Sequence, residues 1–281
     1  MPVPTRLTSA LRHVNGLLSG VSELVLKCRC AVCGDMTRGE AVCGRCTSRF
    51  RLITEQCCAR CGRPLAAEGV AELCDGFLCG DCRLDKPKLH FDRAVSVFVY
   101  EGEMRTAILK HKHGKRVGVG KVLGKLWGTQ LPVKIEGLLR QDERPDLILP
   151  VPLHESRLRE REFNQSAILA RHASSALGVR AEYEVLSRIR ATEYQSRLTP
   201  AQKRQNVKGA FAVTRPEPVR GAAVLLVDDI FTTGSTVNEC AKALKKAGAR
   251  SVTVATLARP TELQQGDLPD DTRPDFLETA L

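Results

Sequence analysis

Residues Gly221–Pro260 read GAAVLLVDDIFTTGSTVNECAKALKKAGARSVTVATLARP. The continuous apolar run Ala222–Val227 has the length of a strand and suits a parallel sheet that is covered on both faces. Helical periodicity follows over Thr236–Ala247, with apolar residues on one side and lysines on the other. Ser251–Leu257 is a second apolar strand. The stretch therefore predicts a strand–helix–strand unit of an α/β fold.

The two ends of this helix have signals of their own. Thr236 and Glu239 have the spacing of a capping box, which predicts that the helix starts at Thr236. Gly248 is placed to end it, because glycine readily adopts the left-handed conformation that terminates many helices. Cys240 lies inside the helical pattern and is interpreted as a small core residue.

The loop between strand and helix combines acids, hydroxyls and a glycine; its residues are Asp228, Asp229, Ile230, Phe231, Thr232, Thr233, Gly234, Ser235 and Thr236. Backbone amides at a helix start attract anions, and the hydroxyls add donors for a phosphate. The two adjacent carboxylates would repel phosphate, but they suit vicinal hydroxyls. A phosphate beside a diol describes ribose 5-phosphate. The alternative is a structural loop with an aspartate N-cap, which would not call for this combination.

The stretch Val224–Thr236, VLLVDDIFTTGST, resembles the signature of type I phosphoribosyltransferases that binds 5-phosphoribosyl 1-pyrophosphate (PRPP). By this resemblance, Asp228 and Asp229 would hold the ribose hydroxyls. Residues Ile230–Thr236 would form the binding loop, with Thr232–Thr236 around the 5-phosphate. In such enzymes Mg²⁺ bridges the pyrophosphate and ribose oxygens.

Eleven of the twelve cysteines lie between positions 28 and 82, and eight of them form Cys-x-x-Cys pairs: Cys30/Cys33, Cys43/Cys46, Cys58/Cys61 and Cys79/Cys82. Two such pairs supply the four thiolates of a closed structural zinc site, so we expect two zinc ions. A disulfide framework would need an oxidising compartment, and a redox pair would need one motif within a βαβ unit. Cys28, Cys57 and Cys74 lie close to the pairs and remain alternative ligands.

Another strand end is predicted near Asp146–Val151, before a loop rich in arginine and a helix from Ser166. In the type I fold, pyrophosphate binds at the loop after the first strand. The candidate pyrophosphate contacts in this loop are therefore Arg157, Arg159 and Arg161. Lys112, from the basic run between Met104 and Ile135, is a further candidate. A charged helix face with interleaved glutamates is the alternative. Leu186–Phe211 is rich in basic and amide groups, which predicts a surface loop and a short helix beside the site.

Taken in order, the cysteine pairs, YEGEMRTAILKHKHGKR, PVPLHESRLREREFNQ, LSRIRATEYQSRLTPAQKRQNV and the PRPP motif resemble the ComF (competence protein F) family. The resemblance implies a parallel sheet with helices on both faces, preceded by a small double zinc ribbon. It also implies a link to natural transformation, with incoming single-stranded DNA and other competence proteins as partners. The family usually has glycine where this chain has Glu162, which leaves the use of that loop for pyrophosphate open.

The predicted organisation has four parts: an N-terminal amphipathic helix (1–27), a double zinc ribbon (28–90), a phosphoribosyltransferase domain (91–260) and an acidic, disordered tail (261–281). The net charge is +11, with +12 in residues 91–260 and −5 after Pro260. From Met104 to Ile135 the chain has eight basic and no acidic residues. This favours phosphate-bearing partners, or it is a solvated basic face.

Three classes of function remain open: a phosphoribosyltransferase, a non-catalytic PRPP or nucleotide sensor, and a single-stranded DNA-binding protein. The acceptor of an enzyme is not indicated by any residue pattern. Against DNA binding, aromatic residues are only 4% of the chain, whereas proteins that hold single strands usually stack bases on aromatic rings. The chain lacks an apolar run long enough to span a bilayer and a secretion signal. We therefore expect a cytoplasmic protein.

Overall fold

The computed structural model describes residues 28–54, 56–65, 76–114, 116–140, 143–192 and 198–261. The predicted helix 1–27, Cys74 and the predicted tail after Thr261 lie outside the described residues. Within the described ranges, no helix combines the length and the apolar character that crossing a membrane requires.

The secondary structure divides into a small cysteine-rich region and a larger α/β domain. The strands are β1 (Cys28–Arg29), β2 (Met36–Thr37), β3 (Arg93–Val99), β4 (Leu147–Pro150), β5 (Leu186–Arg188), β6 (Phe211–Val213), β7 (Ala223–Ile230) and β8 (Ser251–Arg259). The helices are α1 (Gly44–Thr47), α2 (Gly80–Arg83), α3 (Gly102–His113), α4 (Val117–Glu136), α5 (Glu155–Arg161), α6 (Gln165–Leu177), α7 (Pro200–Val207) and α8 (Ser235–Lys246).

A four-stranded sheet in the order β3-β8-β7-β4 forms the centre of the α/β domain, and every neighbouring pair is parallel. Side chains of β7 alternate between its two faces. Leu225 and Val227 join a core with Trp127 of α4 and Leu169 of α6. Val224 and Leu226 join a second core that includes apolar residues of α8. The prediction of a parallel sheet with helices on both faces is confirmed.

Helix α8 starts differently from the prediction. Its N-cap is Gly234, with a φ of 70° and no side-chain cap, so the helix begins at Ser235. The predicted capping box of Thr236 and Glu239 is therefore wrong. The carboxylate of Glu239 instead accepts a hydrogen bond from the backbone N–H of Gly209 at 2.9 Å. The predicted end is confirmed, since Gly248 follows the helix with a φ of 96°. Cys240 is fully buried in the core, as predicted.

The segment after β4 is helical where a loop was predicted, so Arg157, Arg159 and Arg161 lie on α5. The ring of His154 caps this helix by accepting from the backbone N–H of Ser156 at 3.3 Å. Glu162 ends it in the left-handed conformation, with a φ of 68°. Such a conformation favours glycine, which is the residue that the family motif usually has at this position.

The segment Leu186–Phe211 contains the predicted short helix and an unpredicted pair of strands. Helix α7 has a complete capping box between Thr199 and Gln202. Strand β5 pairs antiparallel with β6 and forms a ribbon beside the sheet. Three-residue strands carry too little alternation to be recognised from sequence.

The cysteine-rich region is fixed to the edge of the sheet. The backbone N–H of Ile53 donates to the carbonyl of Val97, and that of Val99 donates to the carbonyl of Arg51, both at 2.9 Å. Phe50 packs edge-on against Phe98 with ring centres 6.2 Å apart. Because backbone bonds and apolar burial act together here, the region has a defined position relative to the α/β domain.

Candidate functional site

A cavity of about 130 Å³ lies where β7 ends and α8 begins, and every residue from Asp228 to Thr236 lines it. We call it the loop cavity. The carboxyl ends of parallel strands are the usual place for ligands in open α/β sheets. The predicted loop and the cavity therefore coincide, with the two acids at the end of the strand and the hydroxyls at the start of the helix.

The backbone of this loop offers hydrogen-bond donors to a ligand. Within the described residues, the N–H groups of Thr232, Thr233 and Gly234 have no acceptor, and that of Ser235 has only the Thr233 hydroxyl at 3.4 Å. Gly234 has a left-handed φ of 70°, and a Cβ there would lie 2.6 Å from Cζ of Phe231. Glycine is therefore required, and the free donors at the helix start form a cradle for an anion.

Asp228 is partly buried and accepts two hydrogen bonds from the protein. Its Oδ1 accepts from the hydroxyl of Ser166 and from the backbone N–H of Asp229, both at 2.9 Å. Burial, followed by the charge of Asp229, raises the pKa of Asp228 to about 7. Near neutral pH this carboxyl group can hold a proton and either donate or accept a hydrogen bond, which suits contact with a hydroxyl group.

Asp229 is paired with a lysine that sequence reasoning assigned to pyrophosphate. The Nζ of Lys112 lies 2.8 Å from Oδ2 of Asp229, and 9% and 15% of the two side chains are exposed. Both residues line the loop cavity. The pair brings Lys112 to the predicted site, beside the acids.

Five basic side chains line the loop cavity against the two carboxylates: Lys112, Arg157, Arg161, Arg188 and Lys203. This excess of positive charge suits a ligand with several phosphate charges. Arg159 is not part of the lining. It pairs with Glu155 at 3.0 Å on the surface, where 80% of each side chain is exposed.

Sequence reasoning did not single out four polar residues of the lining as site residues: Gln165, Ser166, Arg188 and Lys203. Two of their donors, Nε of Arg188 and Nε2 of Gln165, are buried without a hydrogen-bond partner among the described residues. Burial lowers the pKa of Arg188 to about 10, so it is still a cation at neutral pH. The only signal for Arg188 and Lys203 was the basic, amide-rich composition of their segment, which does not identify individual residues.

The eight paired cysteines form two groups of four, in which one sulfur per residue lies within 4.8 Å of the others: Cys30, Cys33, Cys43 and Cys46, and Cys58, Cys61, Cys79 and Cys82. The N–H of Cys43 donates to the sulfur of Cys30, and the N–H of Cys79 to that of Cys58, both at 3.3 Å. Four sulfurs with such backbone support fit structural Zn²⁺. Among the described residues, Cys28 and Cys57 belong to neither group.

Comparison with known protein families gives separate matches to the cysteine-rich region and to the α/β domain. A model of the double zinc ribbon domain matches residues 21–83, and a model of the phosphoribosyl transferase domain matches residues 164–277. Competence protein F of Haemophilus influenzae is 30% identical over 226 residues, which cover 77% of this chain and 96% of that protein. The chain belongs to the competence protein F family.

Other proteins resemble this ComF-family chain as well. The DNA utilization protein YhgH of Escherichia coli (strain K12) is 33% identical over 221 residues, covering 78% of this chain and 89% of that protein. Among solved structures, hypoxanthine phosphoribosyltransferase from Trypanosoma cruzi in complex with the product IMP is 18% identical. The match covers 50% of this chain and 65% of that chain with a TM-score of 0.29, a value too low for a comparison of folds.

Proposed function

We propose that this ComF-family protein binds PRPP together with Mg²⁺ in the loop cavity. The observation that carries the proposal is that donors without a protein acceptor line the same cavity as a partly buried pair of acids. The donors are the amides of the loop 232–234, Nε of Arg188 and Nε2 of Gln165. Buried donors are normally paired, so a set of them around one cavity supports an anionic ligand.

Each part of PRPP has a matching group in the cavity. The amides and hydroxyls of residues 232–236 suit the 5-phosphate, since they lie at the positive end of α8. Asp228 and Asp229 suit the ribose hydroxyls.

The pyrophosphate of PRPP is matched by cations. Arg157, Arg161 and Lys112 are the predicted pyrophosphate contacts that line the cavity, and Arg188 adds a fourth cation to them. Arg159 is left out of this set because it lies outside the lining.

The acids also fit the metal that accompanies PRPP. Mg²⁺ prefers oxygen ligands and is usually held by one or two carboxylates together with substrate phosphates. Asp228 and Asp229 offer carboxylate oxygens at the end of β7, next to the cationic part of the lining. When bound, Mg²⁺ would neutralise part of the pyrophosphate charge.

A role in the use of DNA is part of the proposal and rests on the named relatives. Direct binding of single-stranded DNA through the basic run 104–135 has weaker support, because two of its lysines engage protein groups. Lys112 pairs with Asp229, and Lys134 donates to the carbonyl of Ile53. The two thiolate tetrads support the cytosol as the location, since thiols stay reduced there.

Isothermal titration of PRPP with Mg²⁺ tests the proposal. We expect the wild type to bind, and Asp228→Asn/Asp229→Asn to lose at least about tenfold in affinity, which corresponds to about 1.4 kcal/mol. Asp35→Asn, which removes an exposed carboxylate that does not line the loop cavity, is the control and should bind normally. Equal affinity of the wild type and the double variant would contradict the site.

Catalysis needs a separate measurement. Release of pyrophosphate from PRPP is followed in the presence of nucleobases and amines, with zinc-loaded protein. Turnover would make the protein a phosphoribosyltransferase. Tight binding of PRPP without turnover would favour a sensor that acts on another protein.

A further inference from the structure

A second cavity, of about 420 Å³, separates the second cysteine tetrad from the loop 228–236. We call it the ribbon cavity. Phe231, Thr232 and Thr233 line both this cavity and the loop cavity, so the two share one wall. Its volume lies within the range of small-molecule sites, roughly 300–1,000 Å³. A ligand here would lie directly beside whatever the loop cavity holds.

The ribbon cavity has a positive lining. Its basic residues are Arg63, Lys86, Arg204 and Arg259, and its acidic residue is Asp81. Arg63 already pairs with Asp81 at 2.7 Å. The other three basic residues form no ion pair with a carboxylate in the described parts of the chain. The cavity therefore has cations available for a ligand.

Arg259 is the residue that points most strongly to a ligand. Only 5% of it is exposed, and its guanidinium lies 4.7 Å from the centre of the Phe231 ring. It donates to the carbonyl of Cys61 at 2.6 Å. Its Nε is buried without a hydrogen-bond partner among the described residues. A buried cation with an unused donor is costly unless an anion pairs with it.

The zinc site itself accounts for only part of this charge. A Zn²⁺ ion with four thiolates carries two negative charges, and Cys61 and Cys82 of the tetrad line the cavity. Four cations exceed the charge of the tetrad and Asp81 together, so the lining keeps a net positive charge. This balance suits one anionic group better than a chain of phosphates.

We propose that the ribbon cavity binds a small molecule with one anionic head, a carboxylate or a phosphate, at the same time as PRPP occupies the loop cavity. Arg259 and Arg204 pair with the head, and Lys86 lies at the exposed side. The proposal rests on the proposed function, since the second ligand lies against the far side of the PRPP loop. It gives the second zinc ribbon a role as one wall of a binding site.

Titration of phenyl phosphate, benzoate and phenol into zinc-loaded protein tests this proposal, with and without saturating PRPP and Mg²⁺. We expect phenyl phosphate or benzoate to bind the PRPP-saturated wild type and phenol not to bind. The stronger of the two anions identifies the head. Arg204→Gln should weaken that binding at least fivefold and leave PRPP affinity within twofold. Arg204 is exposed, so this variant keeps the fold, whereas Arg259→Gln would also lose the bond to Cys61.

Arg38→Gln, another exposed arginine that lines neither cavity, is the matched control and should bind the probe like the wild type. Failure of both anions to bind, or equal binding by Arg204→Gln, overturns the proposal. Loss of probe binding on saturation with PRPP assigns the probe to the loop cavity and also overturns it. A further variant replaces the six acidic residues beyond Thr261 with their amides. If the probe binds only to this variant, the chain's own tail is the occupant of the cavity, and the proposal is overturned. The two failures can be told apart by the separate PRPP titration. If PRPP binds and the probe does not, only the ribbon-cavity proposal fails. If PRPP does not bind, the proposed function fails.

Discussion

Nζ of Lys112 and Oδ2 of Asp229 form an ion pair at 2.8 Å beside the partly buried carboxyl group of Asp228. Two adjacent acids at the end of a strand repel each other, and this repulsion is one reason why the pKa of Asp228 is raised. Lys112 opposes it by neutralising Asp229. The pair therefore allows two acids to lie side by side in a site that must also hold phosphate.

The strength of this pair can be measured. Asp229→Asn leaves a lysine with 9% exposure unpaired, and we expect a loss of roughly 3 kcal/mol in the free energy of unfolding. Lys112→Met/Asp229→Asn should recover part of that loss, because no charge is then left buried. Urea unfolding of zinc-loaded protein gives the double-mutant cycle. The exposed pair of Arg159 and Glu155 is the control, with a coupling below about 1 kcal/mol. Additive effects at Lys112 and Asp229 would contradict the prediction.

The raised pKa of Asp228 predicts a pH-dependent stability. Because its pKa is about 7 in the folded protein and about 3.9 in an unfolded chain, the folded state binds more protons between these values. The contribution of Asp228 to the free energy of unfolding is therefore greatest below about pH 4 and is lost as the pH rises towards 7. Asp228→Asn keeps an oxygen acceptor for Ser166 and removes the titration.

We expect Asp228→Asn to be more stable than the wild type at pH 8, by at most about 4 kcal/mol, because its side chain carries no charge that burial would penalise. The difference between the two proteins should shrink as pH falls from 8 to 5. Urea unfolding at several pH values, with zinc present throughout, checks this. Asp35→Asn, at the surface, is the control, and its free energy of unfolding relative to the wild type should not change with pH in this way. If the free energy difference between Asp228→Asn and the wild type did not change with pH, the raised pKa of Asp228 would be contradicted.

The parts of the molecule that sequence predicted are those with local signals. The unit of β7, α8 and β8 was predicted from signals within one stretch of sequence. Apolar runs indicate the strands, helical spacing of apolar residues indicates the helix, and turn residues indicate the connections. The two tetrads are coded by cysteine spacing, because each pair needs only a tight turn and a metal. In both cases the residues that decide the structure are close together in the chain.

The parts that were missed depend on distant contacts. The capping box of α8 is lost because Gly209, far away in the chain, donates to Glu239. Arg188 reaches the loop cavity only because β5 pairs with β6 beside the sheet. Helix α5 is capped by a histidine, a residue outside the usual capping set. Composition indicated a basic flank, but it could not separate Arg157 and Arg161 in the cavity from Arg159 on the surface.

The two zinc sites should release metal at different rates. In the first tetrad Cys33 is exposed and Cys43 is half-buried, whereas all four cysteines of the second tetrad are buried. Titration with p-hydroxymercuribenzoate, with zinc followed by 4-(2-pyridylazo)resorcinol, should give a fast and a slow phase of one ion each. Cys33→Ser should lose the fast phase and keep the slow one. Loss of the slow phase in that variant, or a single phase for both ions in the wild type, would rule out this order.

Gly234 combines two constraints that can be separated by a matched variant. Its φ of 70° disfavours any side chain, and a Cβ would also lie 2.6 Å from the ring of Phe231. Gly178, at the end of α6, has a φ of 67° and no atom within 4 Å of such a Cβ. Gly178→Ala should therefore cost about 1 kcal/mol from backbone strain alone. Gly234→Ala should cost about 2–4 kcal/mol, since overpacking adds to the strain.

The same two variants separate stability from binding. Gly234→Ala displaces Phe231 or the loop amides, so we expect PRPP affinity to fall at least about tenfold, or 1.4 kcal/mol. Gly178→Ala leaves the loop untouched and should bind PRPP like the wild type. Urea unfolding and isothermal titration on the same zinc-loaded preparations give both numbers. If Gly234→Ala bound PRPP normally while losing stability, the close approach of backbone to phosphate would not be the reason for glycine in this loop, and the packing of Phe231 alone would explain it.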